Sequence, residues 1–148
     1  MRDRPLIQSA ALIVGVVFLL VGILGFIPGI TTNYDDLKFA GHDSSAQLLG
    51  IFDTSILHNI VHLLFGVAGI ILAKTIDGAR SFLIGGGVIY LALFLYGAIW
   101  GHDEASSNFV PVNWADNVLH LALGVGMVAV GVLLSREPTG RDTTAPAV

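Results

Sequence analysis

Four long apolar runs constrain this chain more than any other feature of its sequence. They cover, approximately, residues 6–27, 56–73, 81–100 and 114–135. A bilayer core of about 30 Å is crossed by roughly 20 helical residues, since each adds 1.5 Å. Only 12% of the residues are charged, about half the fraction found in soluble domains. The sequence therefore predicts an all-α integral membrane protein, a four-transmembrane-helix bundle that forms one domain over residues 1–135.

The segments between the runs predict how the bundle is connected. The first run is too long for the apolar core of a signal peptide and is followed by no small-x-small cleavage site, so we expect it to remain as a span. A polar segment over 29–54 follows it, and its apolar patch Gln47–Phe52 is expected to be a short interfacial helix. Lys74–Arg80 is expected to be a tight turn, and 136–148, rich in Pro, Thr and charge, a flexible tail.

Lys and Arg residues set the expected orientation. Six of the seven precede the first run, separate the second from the third, or follow the fourth: Arg2, Arg4, Lys74, Arg80, Arg136 and Arg141. Lys38 alone falls in the long connection after the first run. Cytoplasmic segments carry the excess of basic residues. We therefore expect a multi-pass protein of the cytoplasmic membrane, with both termini in the cytoplasm and both long connections outside.

The second and fourth runs resemble each other residue by residue. Residues 55–69 align without a gap with 113–127, which pairs Ser55 with Asn113, His58 with Asp116, Asn59 with Asn117, His62 with His120, and Gly66 with Gly124. The first and third runs align at an offset of 72, so that Gly15 matches Gly87 and Gly25 matches Gly97. This pattern predicts a duplicated helical hairpin, with copies related by a pseudo-twofold axis along the membrane normal.

At these residues the chain resembles a group of small bacterial membrane proteins, common in actinobacteria, that is defined only as a domain of unknown function. The resemblance covers roughly residues 10–134. It rests on Gly50-Ile-Phe-Asp53, on Leu57-His-Asn-Ile-Val-His-Leu63 with Gly66, and on Asp116-Asn-Val-Leu-His-Leu121 with Gly124. It implies a four-helix integral membrane protein of the bacterial inner membrane, and it implies no activity.

The aligned polar residues are the candidate site. Ser55 and Asn113 are expected N-caps, and Asn113-x-x-Asp116 is close to a capping box. His62 and His120 lie one turn deeper, about 6 Å further into the bilayer. Glycines on the same helical stripe indicate a helix–helix contact. We therefore expect the His and Asn side chains to face the bundle, because an imidazole without a partner in hydrocarbon costs several kcal/mol.

Three roles remain open for these residues. A structural role uses Asn59, Asn117 and the histidines to hydrogen-bond the hairpins together. A cofactor role uses His58, His62, Asp116 and His120 as ligands of a divalent metal, or His62 and His120 as axial ligands of haem. A third role is a proton or small-solute path through His62 and His120, since imidazole titrates near physiological pH.

The sequence argues against several other classes of function. It contains no Cys, and so neither a thiolate ligand nor a Cys nucleophile. It has no basic run of the kind that nucleic-acid-binding proteins show, and Asn59 stands where the His-Glu-x-x-His motif of zinc proteases has Glu. We expect a non-enzymatic protein in the lipid bilayer, an accessory or scaffold subunit that contacts other membrane proteins or a second copy of itself.

Overall fold

The structure, a computed structural model, describes residues 4–41, 44–100 and 112–135. These contain four α-helices: α1 (Leu6–Leu24), α2 (Ile56–Leu72), α3 (Ile76–Trp100) and α4 (Trp114–Leu134). The helices α1, α3 and α4 are each long and apolar enough to cross a membrane, and α2 is apolar but has 17 residues. The chain is therefore a mainly helical, multi-pass membrane protein. The tail expected over 136–148 lies outside the described residues.

The helices pack as two antiparallel pairs, α1 with α2 and α3 with α4. In the first pair Gly15 lies against Ile70 and Gly22 lies against Leu63, so the two helices run in opposite directions. A Cβ at Gly15 would lie only 2.9 Å from backbone atoms of α2. The absence of a side chain at this position therefore lets the two backbones approach closely.

The second pair repeats these contacts at the aligned positions. Gly15 lies against the backbone nitrogen of Ile70. The aligned Gly87 lies against the backbone nitrogen of Val128, the residue that aligns with Ile70 at the offset of 58. The same holds for Gly66 on Leu19 and Gly124 on Leu91. Both pairs therefore use glycine at the same places to bring their helices together.

Aromatic side chains join the two pairs. The rings of Phe18 in α1 and Tyr90 in α3 lie 5.2 Å apart, and Phe65 in α2 contacts both rings. Nearer the start of α3, Phe82 packs on Phe65 and on Gly69. The buried apolar residues form one cluster around this contact: Ile7, Ala11, Phe18, Ala73, Ala79, Phe82, Leu83, Tyr90 and Met127.

Large apolar side chains also cover the outside of every helix. Examples are Ile13, Leu64, Val88 and Leu133, each more than half exposed. Soluble monomers rarely expose contiguous apolar surface on this scale. These side chains match the hydrocarbon of a bilayer, because lipid tails are as apolar as leucine.

The segment between α1 and α2 folds into a small antiparallel sheet of three strands, β1 (Thr31–Thr32), β2 (Gln47–Leu48) and β3 (Phe52–Asp53), in the order β1-β2-β3. The predicted interfacial helix over 47–52 is wrong. Leu49 and Gly50 have φ of 56° and 68°, left-handed conformations that end a helix and suit a tight hairpin turn. We call the end of the bundle that carries this sheet the sheet end.

The opposite end, which we call the turn end, carries the short connection between α2 and α3. The prediction of a turn over Lys74–Arg80 is wrong, because α3 already begins at Ile76. Thr75 Oγ1 accepts a hydrogen bond of 3.0 Å from the N–H of Gly78, as an N-capping residue does. Asp77 lies in the first turn of α3, where a negative charge is favourable. The true connection is therefore only three residues long.

Candidate functional site

The helix starts at the sheet end are capped by the residues that the sequence indicates. Ser55 Oγ accepts from the N–H of His58 at 3.1 Å. Asn113 Oδ1 accepts from the N–H of Asp116, and Asp116 Oδ2 accepts from the N–H of Asn113, both at 3.0 Å. The two bonds at α4 complete a capping box, so Asp116 has a structural task at its own helix start.

Asp116 and Asn113 also hold the sheet onto the bundle, which the sequence does not reveal. Asp116 Oδ2 accepts a second hydrogen bond, of 3.0 Å, from the N–H of Asp53 in β3. Asn113 Nδ2 donates to the carbonyl of Ile51 at 2.7 Å. The Asp53 carboxylate in turn accepts from Gln47 Nε2 at 2.9 Å. The β2–β3 hairpin is therefore fixed over the start of α4.

Two asparagines fill equivalent places in the helix pairs. Asn59 is 1% exposed and Asn117 is 4% exposed. The carboxamide of Asn59 lies directly against Gly25, which follows the last residue of α1, and that of Asn117 lies against Gly97 of α3. Thr54 Oγ1 donates to Asn59 Oδ1 at 2.7 Å. Each asparagine thus occupies the space that a side chain at the facing glycine would need.

The histidines gather around Tyr90. His62 Nε2 lies 3.1 Å from His58 Nε2 and 3.3 Å from the Tyr90 hydroxyl. The ring of His120, which is 3% exposed, packs edge-on against Tyr90 with centroids 5.4 Å apart. His62 and His120 therefore both contact one tyrosine in the interior. We call His58, His62, Tyr90 and His120 the imidazole cluster.

Sequence reasoning missed Tyr90 as a member of the site. The signal was present in the alignment, because Tyr90 matches Phe18 at the offset of 72. Phe18 packs edge-on against His62 at 5.5 Å, just as Tyr90 packs against His120. The hydroxyl is the difference between these aligned rings, and it reaches His62 of the other helix pair.

Two cavities adjoin the imidazole cluster, and all four of its side chains line both. One, of about 110 Å³, lies under the sheet and is also lined by Asn59, Asp116 and Phe52. The other, of about 160 Å³, is also lined by Ser55, Val61 and Leu93. We call them the sheet cavity and the side cavity.

Several polar atoms beside these cavities are buried without a hydrogen-bond partner among the described residues. They are Nδ1 of His58, His62 and His120, together with Nδ2 of Asn59 and Oδ1 of Asn117. Buried polar groups are nearly always hydrogen-bonded, so each such atom calls for an explanation.

The predicted cofactor ligands line one cavity. His58, His62, Asp116 and His120 all line the sheet cavity. Within 4–41, 44–100 and 112–135, however, no three His, Asp or Glu side chains are arranged to hold a metal ion.

Comparison with known families identifies the family of this chain. A family model described as "Domain of unknown function (DUF4383)" matches residues 8–133, from the first turn of α1 to the last turn of α4. The chain belongs to this family. This confirms the resemblance to a family of unknown function inferred from the sequence. No curated protein and no solved structure matches the chain.

Proposed function

We propose that this DUF4383 protein crosses the cytoplasmic membrane four times, with both termini in the cytoplasm, and arose by duplication of a helical hairpin. The repeated glycine contacts support the duplication. The 17 residues of α2 rise about 25 Å, at the short end of what spans a bilayer. Arg4, Lys74 and Arg80 lie at the turn end and Lys38 at the sheet end, which supports a cytoplasmic turn end.

The protein is non-enzymatic, an accessory or scaffold subunit of a membrane complex, and its polar residues dock its own helices. One observation carries this proposal: Asn59 and Asn117 pack at equivalent helix contacts, against Gly25 and Gly97. Each carboxamide fills the space beside a glycine, and glycine at a helix contact lets membrane helices approach closely. Tyr90 and His62 connect the two pairs.

A trough on the lipid-facing side is the observation that favours a partner helix. It lies between α1 and α4, has a volume of about 370 Å³, and includes the small residues Ala10, Ala122 and Gly126 in its lining. Small residues let a neighbouring helix approach closely in a membrane. The partner is a transmembrane helix of another protein, or of a second copy of this chain.

Site-specific photocrosslinking in the native membrane tests the scaffold role. A photoreactive residue at Gly126 lies in the trough, and one at Gly85 on α3 is its matched control, because a Cβ at either glycine meets no atom within 4 Å. We expect a discrete protein adduct from position 126 and only lipid adducts from position 85. Lipid adducts alone from both positions would refute the proposal that a partner helix lies in the trough.

The absorbance spectrum and metal content of the purified protein test the structural role of the histidines. We expect neither a Soret band nor stoichiometric metal. Either signal, if it disappears in His62→Ala while the protein stays folded, would mean that the imidazole cluster binds a cofactor.

A further inference from the structure

The imidazole cluster presents hydrogen-bonding atoms that the described residues leave unmatched. His120 and Asn59 are each more than nine-tenths buried. The Nδ1 atom of His120 and the Nδ2 atom of Asn59 have no partner there, and both residues line the sheet cavity. Leaving such groups dry is unfavourable, because they lose their hydrogen bonds to water on folding.

The contact between His58 and His62 fixes what kind of partner is needed. Their Nε2 atoms are 3.1 Å apart, so one must carry a hydrogen and the other a lone pair. A neutral imidazole carries one N–H. The ring that donates from Nε2 therefore has a bare Nδ1, and the other ring carries Nδ1–H. Whichever tautomers form, the two Nδ1 atoms together offer one donor and one acceptor.

These two Nδ1 atoms therefore need one hydrogen-bond acceptor and one donor, which a single small molecule with both functions can supply. A metal ion only accepts lone pairs, and a carboxylate or halide only accepts hydrogen bonds. An apolar molecule satisfies none of these atoms. Water does both, and buried waters typically make about three hydrogen bonds to groups of this kind.

We propose that the two cavities beside the imidazole cluster hold ordered water, which completes the hydrogen bonds of its three histidines and of Asn59. The sheet cavity of about 110 Å³ has room for water, which takes about 30 Å³ per molecule in the liquid. The waters join Asp116 and the histidines in one network within the outer half of the bundle. This site goes beyond the scaffold role and does not depend on any partner.

Hydration ends at the aromatic layer below the cluster. Phe65 and Phe82 pack against each other at 5.3 Å, and Phe82 lies eight residues nearer than Tyr90 to the start of α3 at the turn end. Such a region has no polar atoms to hold water, and apolar cavities stay dry. The hydrated site is thus open toward the sheet end and closed toward the turn end.

Radiolytic hydroxyl labelling with mass spectrometry tests this inference on the full-length protein in detergent micelles or nanodiscs. The radicals form from bound water and oxidise the side chains beside it. Tyr90 and Phe82 are a matched pair, because both are aromatic residues of α3, 3% and 4% exposed. We expect labelling of Tyr90 but not of Phe82. Met127, at 3% exposure, is the dry control, and we expect it to stay unlabelled although thioethers oxidise readily.

Two results overturn the inference. One is an unlabelled Tyr90, which means that the cavities are dry. The other is equal labelling of Tyr90 and Phe82, which means that radicals report a general loosening of the bundle. A transfer to H₂¹⁸O before irradiation adds a readout that needs no variant, since ¹⁸O enters Tyr90 only as the bound water exchanges.

A variant that loosens the sheet gives a second measurement. Asn113→Ser keeps a good N-cap but removes the bond from Asn113 Nδ2 to Ile51. We expect faster ¹⁸O entry at Tyr90, with Phe82 still unlabelled. An unchanged rate would contradict exchange through the sheet end. The crosslinking of Gly126 tests the scaffold role separately, so either proposal can fail alone.

Discussion

Adding one methyl group at Gly66 should separate α1 from α2. A Cβ at Gly66 would lie 2.5 Å from the backbone nitrogen of Leu19, 2.7 Å from its Cα and 2.8 Å from the carbonyl oxygen of Gly15. Ordinary contact begins near 3.4 Å, so α1 must shift by about 0.9 Å. All three obstacles are backbone atoms, so no side-chain rotation relieves the clash.

The expected cost of Gly66→Ala is at the upper end of the ~1–3 kcal/mol range for overpacking. The aligned change Gly124→Ala should cost less. Its Cβ would lie 2.9 Å from the nitrogen of Leu91 and 2.7 Å from Cγ of the same residue, and that side chain can rotate. Gly85→Ala is the control: its Cβ meets no atom within 4 Å, and alanine favours a helix by up to about 1 kcal/mol over glycine.

Thermal unfolding of the three variants in one detergent measures this order. We expect Gly66→Ala to be the least stable, Gly124→Ala to be intermediate, and Gly85→Ala to match or exceed the parent protein. If Gly66→Ala unfolds at the same temperature as Gly85→Ala, close backbone contact at Gly66 does not hold the first pair together, and the packing argument fails.

Three further predictions follow from the connections and the helix contacts. Because the chain has no native Cys, a membrane-impermeant maleimide should label Asp35→Cys in intact cells but Lys74→Cys only after permeabilisation; the reverse pattern would invert the proposed orientation. Asn113→Ala should lower the free energy of unfolding by about 0.5–2 kcal/mol, the usual value of an N-cap. Asn113→Ser, which keeps an N-cap, should recover most of this loss. If both variants lose the same free energy in denaturation, the bond from Asn113 to Ile51 stabilises the protein and the cap does not. A double-mutant cycle of Tyr90→Phe and His62→Ala should give a coupling of about 0.6–1.7 kcal/mol, and additive effects would mean that the 3.3 Å contact contributes nothing.

Helices and caps are local properties, and the sequence predicts them well. Apolar length places the helical runs, and the residue types at 55, 113 and 116 are those that bond to their own helix starts. The start of α3 is less obvious, because Lys74–Arg80 contains charges and a glycine that are equally common in turns. The capping bond of Thr75 to Gly78 decides the question, and a threonine alone does not show whether it forms.

The sheet and its attachment depend on residues far apart in the chain. Asp53 and Asp116 are 63 positions apart, and nothing in the local pattern of Gln47–Phe52 distinguishes two short strands from a short helix. The same is true of Tyr90, whose hydroxyl meets His62 across 28 positions. The sequence identifies most of the polar residues of the site, and only the fold shows which of them meet.

Positions that match between the two halves and positions that differ have separate tasks. The matching residues, such as Gly66 with Gly124 and Asn59 with Asn117, make contacts within a helix pair. Two of the differing residues make contacts between the halves. Tyr90, where the first half has Phe18, reaches His62. Asp116, where the first half has His58, holds the sheet that precedes α2.

This division has a physical reason. A contact within a hairpin already exists before any duplication, so both copies inherit its residues unchanged. A polar contact between the hairpins needs a donor on one side and an acceptor on the other, and two phenylalanines at positions 18 and 90 would supply neither. Phe18 packs edge-on against His62, which already has Tyr90 and His58 within hydrogen-bonding distance. Tyr90 and Asp116 are thus two places where a difference between the halves lets one half bond to the other.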